Sequence, residues 1–365
     1  MTRLTLVIPT LDRSGAEKQF ALLAAGLPRD EFEVDVIVLT RSGPLEANLN
    51  EAGIPVHILG KRWRFDPGPI LRLRRRLAET KPDIVHSWLF AANTAVRLAL
   101  PKPDRPRVLV SERCVDSWKS GWQHWLDRKL WPRTDRMIGN SQSVADYYAG
   151  QGIDRERIVV IPNGVSVPAA PLTSRGEFLA SLGLPEEAKV ALYVGRLAKQ
   201  KRVKDLLWAA QLVRQTIPEF RFLLVGDGPD RGELEQFARE VEVSKFVQFL
   251  GHRPDASSLL HHADLFWLAS DFEGMSNSIM EAMACGKPCV VSDIPPNREL
   301  VLHDRTGYRI NVGDSVGYSQ FTVRLLRDPD LAAQLGAAGA ARMADEFSVP
   351  RMIERHVALY RELAR

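Results

Sequence analysis

Short apolar runs rich in β-branched residues alternate with helical patterns along the whole 365-residue chain. Each run predicts a strand buried on both faces, as the strands of parallel sheets are. Between the runs, apolar residues recur at helical spacing, for example over residues 16–25 and 70–79. This alternation predicts an α/β fold with helices on both faces of a doubly wound sheet. In the first half of the chain, the predicted strands are residues 4–9, 34–39, 55–58, 84–87, 108–111, 137–140 and 158–161.

A break in the pattern at Pro162-Asn163-Gly164, followed by a proline-containing stretch with little periodicity, indicates a domain boundary. We therefore predict one Rossmann-like domain over residues 1–165 and a second over 186–346. Two such domains facing each other would place the carboxyl ends of both sheets at a shared cleft, where open α/β sheets bind ligands. In the second half, the predicted strands are residues 190–195, 222–226, 247–250, 265–269, 289–293 and 308–310.

From about residue 317 onward the pattern predicts helices only. In the last helix, one apolar stripe is formed by Ile353, Val357, Tyr360 and Ala364.

Positive charge is concentrated between residues 61 and 136, which contain 18 Lys or Arg against 8 Asp or Glu, although the whole chain has a net charge of only +4. Cations and tryptophans together suit an anionic membrane surface, where each charge contributes about 1 kcal/mol. A solvated basic face over core tryptophans is the alternative. We expect no nucleic-acid partner, because no motif of that class accompanies the patch. The patch includes the segments 61–64 and 72–76 and the residues Trp118, Trp122, Trp125 and Trp131.

No apolar run approaches the roughly 18 residues that cross a bilayer, and the run at residues 4–8 is too short for the core of a signal peptide. The three cysteines are few and odd in number, which favours small free thiols in a reducing compartment. We therefore expect a cytoplasmic protein. The basic patch further suggests a peripheral position on the inner membrane face.

The chemistry is concentrated between Glu273 and Glu281, where a predicted buried strand leads through a loop into a predicted helix. The start of a helix attracts phosphate through its N–H groups and its dipole. The two carboxylates would repel phosphate and therefore suit hydroxyl groups. A ligand with phosphates in the middle and polyols at both ends is a nucleotide-sugar. The loop between the two glutamates consists of Gly274, Met275, Ser276, Asn277 and Ser278.

Two cations follow the first predicted strand of the second domain. Arg196 and Lys201 lie just past its carboxyl end, where they would reach a diphosphate held at the helix start. The alternative is a solvated cationic loop. Two strands further along the chain, His252 or Arg253 would border a base. No set of carboxylates suggests a metal clamp, so we expect neither a metal nor a cofactor.

In the first domain, Gly15 opens a helix after the first strand and allows close approach to a phosphate. His86 ends a predicted strand, where it would bond a sugar or phosphate; a satisfied core histidine is the alternative. A predicted acceptor pocket follows the strand at 108–111 and consists of Glu112, Arg113 and Asp116.

Together these residues resemble the retaining glycosyltransferases of the GT-B fold, in particular the large GT4 family. The resemblance covers nearly the whole chain and is strongest over residues 194–293. It rests on Gly195-Arg196-Leu197-x-x-x-Lys201, on the turn at residues 225–229, and on the Glu273-to-Glu281 element with its continuation to Pro288.

The resemblance implies a role for each matching residue. Arg196 and Lys201 neutralise the donor diphosphate, the backbone of residues 275–278 holds its distal phosphate, Glu281 binds the ribose and Glu273 the transferred sugar. Gly15 approaches the diphosphate from the first domain, and a C-terminal helix at about 347–365 packs back onto that domain.

Two positions depart from the family pattern. Ser14 precedes Gly15 where members often have a second glycine. Trp88 stands where they often have the second histidine of a His-x-His element, so that His86 matches only the first.

The predicted function is metal-independent transfer of a hexose, with retention, from a UDP- or GDP-sugar to an acceptor. A lipid-linked glycan of cell-surface polysaccharide or lipopolysaccharide synthesis suits the basic first domain. The alternatives are a non-catalytic nucleotide-sugar-binding or membrane-associated assembly protein, a UDP-sugar epimerase, and a phosphorylase with a pyridoxal cofactor.

Overall fold

The computed structural model describes residues 1–61, 66–100, 105–116 and 119–364 and divides the chain into two compact units. The N-terminal unit comprises Met1–Gly164 and Val349–Arg365, and the C-terminal unit comprises Val165–Ser348. The predicted basic residues Arg62 and Arg64 and the predicted surface tryptophan Trp118 lie outside the described residues.

The N-terminal unit has a seven-stranded parallel sheet with strand order β3-β2-β1-β4-β5-β6-β7. Its strands are β1 (Thr2–Thr10), β2 (Phe32–Arg41), β3 (Val56–Ile58), β4 (Ile84–Trp88), β5 (Arg107–Glu112), β6 (Arg136–Gly139) and β7 (Ile158–Val160). Its helices before residue 165 are α1 (Gly15–Gly26), α2 (Glu46–Glu51), α3 (Gly68–Thr80), α4 (Leu89–Ala99), α5 (Gly121–Leu130) and α6 (Gln142–Gly150).

Alternate residues of each central strand enter two different cores. In β1, Leu6 belongs to the core that contains Phe20 of α1, whereas its neighbour Val7 belongs to the core that contains Val96 of α4. Because successive side chains of a strand point to opposite faces, a continuous apolar run fills both cores.

The C-terminal unit has a six-stranded parallel sheet with strand order β10-β9-β8-β11-β12-β13. Its strands are β8 (Lys189–Val194), β9 (Phe220–Val225), β10 (Val247–Gly251), β11 (Leu265–Leu268), β12 (Cys289–Ser292) and β13 (Gly307–Ile310). Its helices are α7 (Arg175–Ser181), α8 (Val203–Thr216), α9 (Arg231–Glu240), α10 (Asn277–Ala284), α11 (Pro295–Leu300), α12 (Ser315–Arg327) and α13 (Pro329–Glu346).

Every strand predicted from the sequence overlaps an observed strand, which confirms the doubly wound α/β prediction. The stretch at residues 166–185, which the sequence left between the two domains, belongs to the C-terminal unit and contains α7. This helix forms because Ser174 and Glu177 make a capping box and Phe178 and Leu179 are buried.

The last helix, α14 (Val349–Ala364), packs against α1 and β4 of the N-terminal unit. The predicted stripe is wrong at Ala364, which is exposed, while Leu363 is buried. The buried face also includes Met352 and His356. A pattern that counts histidine as polar misses the position of His356, and the predicted stripe is therefore rotated.

Candidate functional site

Two loops at the carboxyl end of the C-terminal sheet are joined by hydrogen bonds. The Asp271 N–H donates to the Gln200 carbonyl at 2.9 Å, and the Gln200 side chain donates to the Phe272 carbonyl at 3.2 Å. The ammonium of Lys201 thereby reaches Glu273, with which it forms an ion pair. Glu273 also accepts a hydrogen bond from the Ser270 hydroxyl at 2.7 Å. Of the predicted residues, Lys201 and Glu273 are thus brought into direct contact.

Arg196 lies on a loop whose backbone is fixed from two sides. Its carbonyl accepts a hydrogen bond from the Tyr193 hydroxyl at 2.9 Å, and the next residue, Leu197, donates its N–H to the Asp227 carbonyl at 3.0 Å. The Arg196 side chain itself is exposed. Burial first, and the carboxylate of Glu273 second, raise the pKa of Tyr193, so its hydroxyl stays protonated and donates.

The turn after β9 is glycine-rich because it packs on the Arg196 loop. Gly226 has φ +136°, and a Cβ there would overlap the carbonyl oxygen of Gly195. A Cβ at Gly228 would overlap the carbonyl of Leu197. The turn at residues 225–229 therefore has a mechanical role, which is to support the loop that carries Arg196.

Helix α10 begins at Asn277, with Ser276 as its N-cap. The Ser276 hydroxyl accepts the Ile279 N–H at 3.5 Å and lies 3.2 Å from the hydroxyl of Ser278. Glu281 is buried about one turn inside the helix. The loop carrying Glu273 leads directly into this N-terminus, so the positive end of the helix dipole begins a few residues after Glu273 in the sequence.

Arg253 follows β10 and is held by Asp255. Its Nε donates to one carboxylate oxygen at 2.9 Å and its Nη2 to the other at 2.7 Å, and these bonds raise the pKa of Arg253. The strand end before it is tied to the preceding strand, because the Gly226 N–H donates to the Gly251 carbonyl. A base contact by Arg253 or by the exposed His252 stays a prediction.

In the N-terminal unit, Gly15 is the first residue of α1. The preceding Ser14 does not cap the helix with its side chain and instead bonds the carboxylate of Glu17, which also accepts from the Thr10 hydroxyl at 3.2 Å. Burial raises the pKa of Glu17. A carboxylate in the first turn of α1 was not singled out from the sequence, although it completes the pattern Ser-x-x-Glu of a helix start.

His86 is completely buried in β4. Its Nδ1 lies 2.7 Å from the Tyr360 hydroxyl and its Nε2 lies 2.8 Å from the Ser111 hydroxyl. Burial first, and then the nearby His356 and Arg113, hold the pKa of His86 well below its ordinary value. The geometry therefore favours the satisfied core histidine over a sugar contact. Tyr360, which sequence reasoning missed as a partner, comes from α14.

Two of the three predicted acceptor residues belong to a buried charge network around Lys119. The ammonium of Lys119 lies 3.4 Å from Glu112, 3.0 Å from Asp116 and 3.4 Å from Asp127. Asp127 in turn pairs with Arg97 at 2.6 Å. Three carboxylates face two cations, and burial raises the pKa of Glu112 to about 7. Although burial opposes it, the carboxylates raise the pKa of Lys119. Glu112 and Asp116 thus form part of the core of the unit.

The basic patch is exposed on two helices that both pack against α4. On α5, Trp122 is 47% exposed and Trp125 is 54% exposed, and Arg128 and Lys129 are exposed beside them. On α3, Leu71, Arg74 and Arg75 are exposed. Trp131 differs from the other two, because the guanidinium of Arg157 covers its ring at 4.8 Å.

Within the described ranges, no group of three or more His, Cys, Asp or Glu side chains is arranged to hold a metal ion. The helices of the described part are all too short or too polar to cross a bilayer. The three cysteines are not joined in disulfides; Cys289 is buried, whereas Cys114 and Cys285 are half-buried.

Family models match both units. The model described as Glycosyltransferase Family 4 matches residues 13–167, and the model described as Glycosyl transferases group 1 matches residues 174–342.

Three curated relatives are similar over half of the chain or more. A lipopolysaccharide core biosynthesis glycosyltransferase, LpsD of Rhizobium meliloti, is 30% identical over 79% of this chain and 78% of its own length. The UDP-Gal:alpha-D-GlcNAc-diphosphoundecaprenol alpha-1,3-galactosyltransferase of Escherichia coli is 29% identical over 83% of this chain and 82% of its own. N-acetyl-alpha-D-glucosaminyl L-malate synthase of Bacillus anthracis is 30% identical over 50% of this chain, and the match spans 48% of that enzyme.

Among solved structures, Anabaena HepE in complex with UDP-glucose superposes with a TM-score of 0.87 at 22% identity, covering 99% of this chain and 100% of that one. This likeness concerns the fold. The chain therefore belongs to the family 4 glycosyltransferases and has their GT-B architecture of two Rossmann-like units.

Proposed function

We propose that the protein transfers a hexose from a nucleoside-diphosphate sugar to a glycan or lipid-linked acceptor, with retention of anomeric configuration and without a metal ion. The observation that carries the proposal is the ion pair between Lys201, on the loop after β8, and Glu273, on the loop that runs into the N-terminus of α10. The two joined loops thereby combine a cation, a carboxylate and a helix dipole, which are the groups that a sugar diphosphate needs.

The donor would be held from its diphosphate outward. Arg196, exposed on its fixed loop, offers a guanidinium fork to one phosphate, while the backbone N–H groups of residues 275–278 hold the other. Lys201 supplies a second cation. Glu281 would accept hydrogen bonds from the ribose, and Glu273 from the transferred sugar. Gly15 would let the backbone of the N-terminal unit approach the diphosphate.

The chemical step would rest on electrostatic stabilisation of the leaving diphosphate. As the bond between the anomeric carbon and the phosphate oxygen breaks, negative charge grows on that oxygen, and Arg196, Lys201 and the helix start would offset it. Glu273 already accepts hydrogen bonds from Lys201 and Ser270, which suits a hydrogen-bonding role better than covalent attack. We therefore propose that the acceptor attacks from the face that the phosphate leaves and gives its proton to the departing oxygen.

UDP is the nucleotide that we propose first, with GDP second. HepE has been crystallised with UDP-glucose, and the E. coli relative is named for a UDP-galactose donor. The acceptor is proposed on similar grounds, because the two relatives that match over most of their length are named for lipopolysaccharide core synthesis and for a diphosphoundecaprenol-linked acceptor. Synthesis on the cytoplasmic side of a membrane follows from such an acceptor.

We also propose that α3 and α5 rest on an anionic membrane surface. Trp122 and Trp125 place two large aromatic rings in solvent next to Arg128 and Lys129, which is the composition of an interfacial helix. Flotation with vesicles containing anionic lipid tests this. The double variant Trp122→Ser/Trp125→Ser should lose most of its binding, and the control Trp208→Ser, an exposed tryptophan of the C-terminal unit, should not. Equal binding by all three proteins would contradict the proposal.

A thermal-shift panel of UDP-, GDP- and ADP-sugars, with and without EDTA, tests the donor and the metal together. We expect stabilisation by a UDP-sugar that EDTA leaves unchanged. A shift that EDTA abolishes would contradict metal independence, and the absence of any shift would contradict the donor class.

Proton NMR of the sugar released by slow hydrolysis of a stabilising UDP-sugar tests the stereochemistry. The first sugar formed should keep the donor's anomeric configuration, and release of the opposite anomer would contradict retention. Formation of a different UDP-sugar without an acceptor would indicate an epimerase, and binding without hydrolysis or transfer would indicate a sensor or assembly protein.

A further inference from the structure

Arg113, the residue after β5 in the N-terminal unit, has a buried cationic side chain with incomplete hydrogen bonding. It is 8% exposed. Its Nη2 donates to the side-chain carbonyl of Asn163, whereas its Nε and Nη1 have no partner among the residues that the structure describes. Buried charges in proteins are normally paired, because an unpaired one loses its hydration without compensation.

Arg97 of the same unit is a buried arginine whose charge is compensated by acceptors. It is 3% exposed, and its guanidinium bonds the carboxylate of Asp127 at 2.6 Å and the carbonyl of Asn93 at 2.9 Å. No carboxylate takes that place at Arg113 among the described residues. Burial lowers the pKa of Arg113 to about 9, so the guanidinium still carries its charge at neutral pH.

The described groups around Arg113 are aromatic and neutral. Its guanidinium stacks over the ring of Trp88 at 4.3 Å. His356 is held neutral, because burial lowers its pKa to about 3, with the charge of Arg113 contributing. The Trp88 Nε1 is a second buried donor without a partner in the described part of the chain. The guanidinium of Arg113 and the indole of Trp88 thus place side by side several N–H donors without acceptors among the described residues.

The position of this cluster in the fold is that of a ligand site. Trp88 ends β4 and pairs in register with Ser111 of the neighbouring β5, so both residues lie at the carboxyl end of the central strands. Open α/β sheets bind ligands at that end. The Asn140 side chain donates to the Arg113 carbonyl at 3.1 Å and fixes the backbone there. The stacked ring and the bonded backbone hold the guanidinium in one orientation before any ligand binds.

We infer that Arg113 binds an oxyanion of the acceptor substrate, a phosphate or a carboxylate, at the carboxyl end of the N-terminal sheet. This deepens the proposed function, on which it rests, because it assigns the acceptor a negatively charged group. Arginine suits such a group, since it donates several N–H bonds in one plane and does not lose its charge.

The test is a thermal-shift titration of the full-length protein, saturated with UDP, by sodium phosphate and separately by sodium acetate. Sodium chloride at matched ionic strength serves as the blank. We expect phosphate, acetate or both to raise the melting temperature of the wild type. The response should be lost in Arg113→Gln and weakened about tenfold or more in Arg113→Lys, in keeping with the loss of charge-assisted hydrogen bonds. The relative size of the two responses identifies the preferred oxyanion.

Two controls separate ligand binding from folding and from the donor. Without added anion, Arg113→Gln should melt no lower than the wild type, because it removes an uncompensated charge, whereas Arg97→Gln should melt lower. The affinity for UDP, measured by calorimetry, should be the same in Arg113→Gln and the wild type.

Three results would overturn the inference. They are an unchanged anion response in Arg113→Gln, an anion response of the wild type that UDP abolishes, and a large loss of stability in Arg113→Gln without anion. The second would assign Arg113 to the donor diphosphate. A protein that fails to bind UDP would contradict the proposed function instead, and the anion titration without UDP would still test Arg113.

Discussion

The carboxyl ends of the two sheets carry polar groups in opposite ways. In the C-terminal unit, Arg196 is exposed on a loop whose backbone is fixed, and the pair of Lys201 and Glu273 lies at the junction of two loops. In the N-terminal unit, His86 and Glu112 are buried and bonded to other parts of the same unit. The first arrangement leaves the charge of Arg196 exposed, whereas in the second, most polar groups are bonded within the fold.

We therefore expect mutations at the two sheet edges to affect different properties, catalysis at one and stability at the other. Changes to the two cations of the C-terminal edge should alter catalysis at nearly unchanged stability, because the Arg196 side chain is exposed and Lys201 is only partly buried. Changes at the N-terminal edge should alter stability first. Arg113 is the exception in the N-terminal unit, and this is why its uncompensated charge points to a ligand.

The largest effect is expected for the two cations of the C-terminal edge. Arg196→Ala and Lys201→Ala should each reduce the transfer rate by about 10²–10³-fold, by analogy with the loss of one oxyanion donor. Melting temperatures should stay close to that of the wild type. Steady-state rates with the UDP-sugar identified by thermal shift provide the measurement, and full turnover by either variant would contradict the assignment. Lys204→Ala is the matched control, because this nearby cation forms an exposed ion pair with Glu233 and should be dispensable.

The second effect concerns the pH dependence of stability in the N-terminal unit. The folded state holds a proton on Glu112 up to about pH 7, whereas the unfolded chain releases it near 4.5. Between these values the folded state binds more protons, so this residue makes stability fall as pH rises. Glu112→Gln mimics the protonated carboxyl and should remove that dependence.

The free energy of unfolding of Glu112→Gln should therefore exceed that of the wild type by an amount that grows from pH 4.5 to pH 7. This difference should reach on the order of 3 kcal/mol at most. Urea unfolding at a series of pH values measures it. A constant difference between the two proteins across that range would show that Glu112 is ionised in the folded network.

The polar groups of the C-terminal edge are easier to recognise in the sequence than those around Arg113, for a physical reason. Arg196, Lys201, Glu273 and Glu281 lie within short motifs on strand-to-loop transitions, and an apolar run indicates where each strand ends. The residues around Arg113 come from distant segments, since Asn163 precedes the boundary between the units and His356 comes from the last helix. No local pattern links them.

The strands of both sheets in the described residues were predictable because the interior of a parallel sheet requires continuous apolar runs. The network around Lys119 was not, because lysine, glutamate and aspartate follow the same local pattern whether they face solvent or one another. In the sequence Asn163 appeared only as part of a boundary signal.

The third effect concerns the support of the Arg196 loop. Gly226→Ala should cost about 1–3 kcal/mol, because an L-residue is strained at φ +136° and its Cβ would overlap the Gly195 carbonyl. Activity should fall further than stability does, since the loop that orients Arg196 moves. Gly232→Ala is the control, since that glycine lies in α9 with open space around it and should gain about 0.5–1 kcal/mol. Normal activity in Gly226→Ala would show that the turn does not position the loop.

The smallest effect concerns the hydrogen bond that ties the last helix to the N-terminal sheet. Tyr360→Phe removes the hydroxyl that lies 2.7 Å from the Nδ1 of His86 and leaves that buried ring nitrogen without its partner. The expected loss of stability is about 1 kcal/mol. Arg361→Ala, which breaks an exposed pair with Glu31 on the next residue of the same helix, should cost less than about 0.5 kcal/mol. The stability of both variants is measured by urea unfolding, and their affinity for UDP is measured alongside it. If His86 serves the core, Tyr360→Phe lowers stability and leaves UDP affinity unchanged; weaker UDP binding at unchanged stability would return His86 to the substrate site.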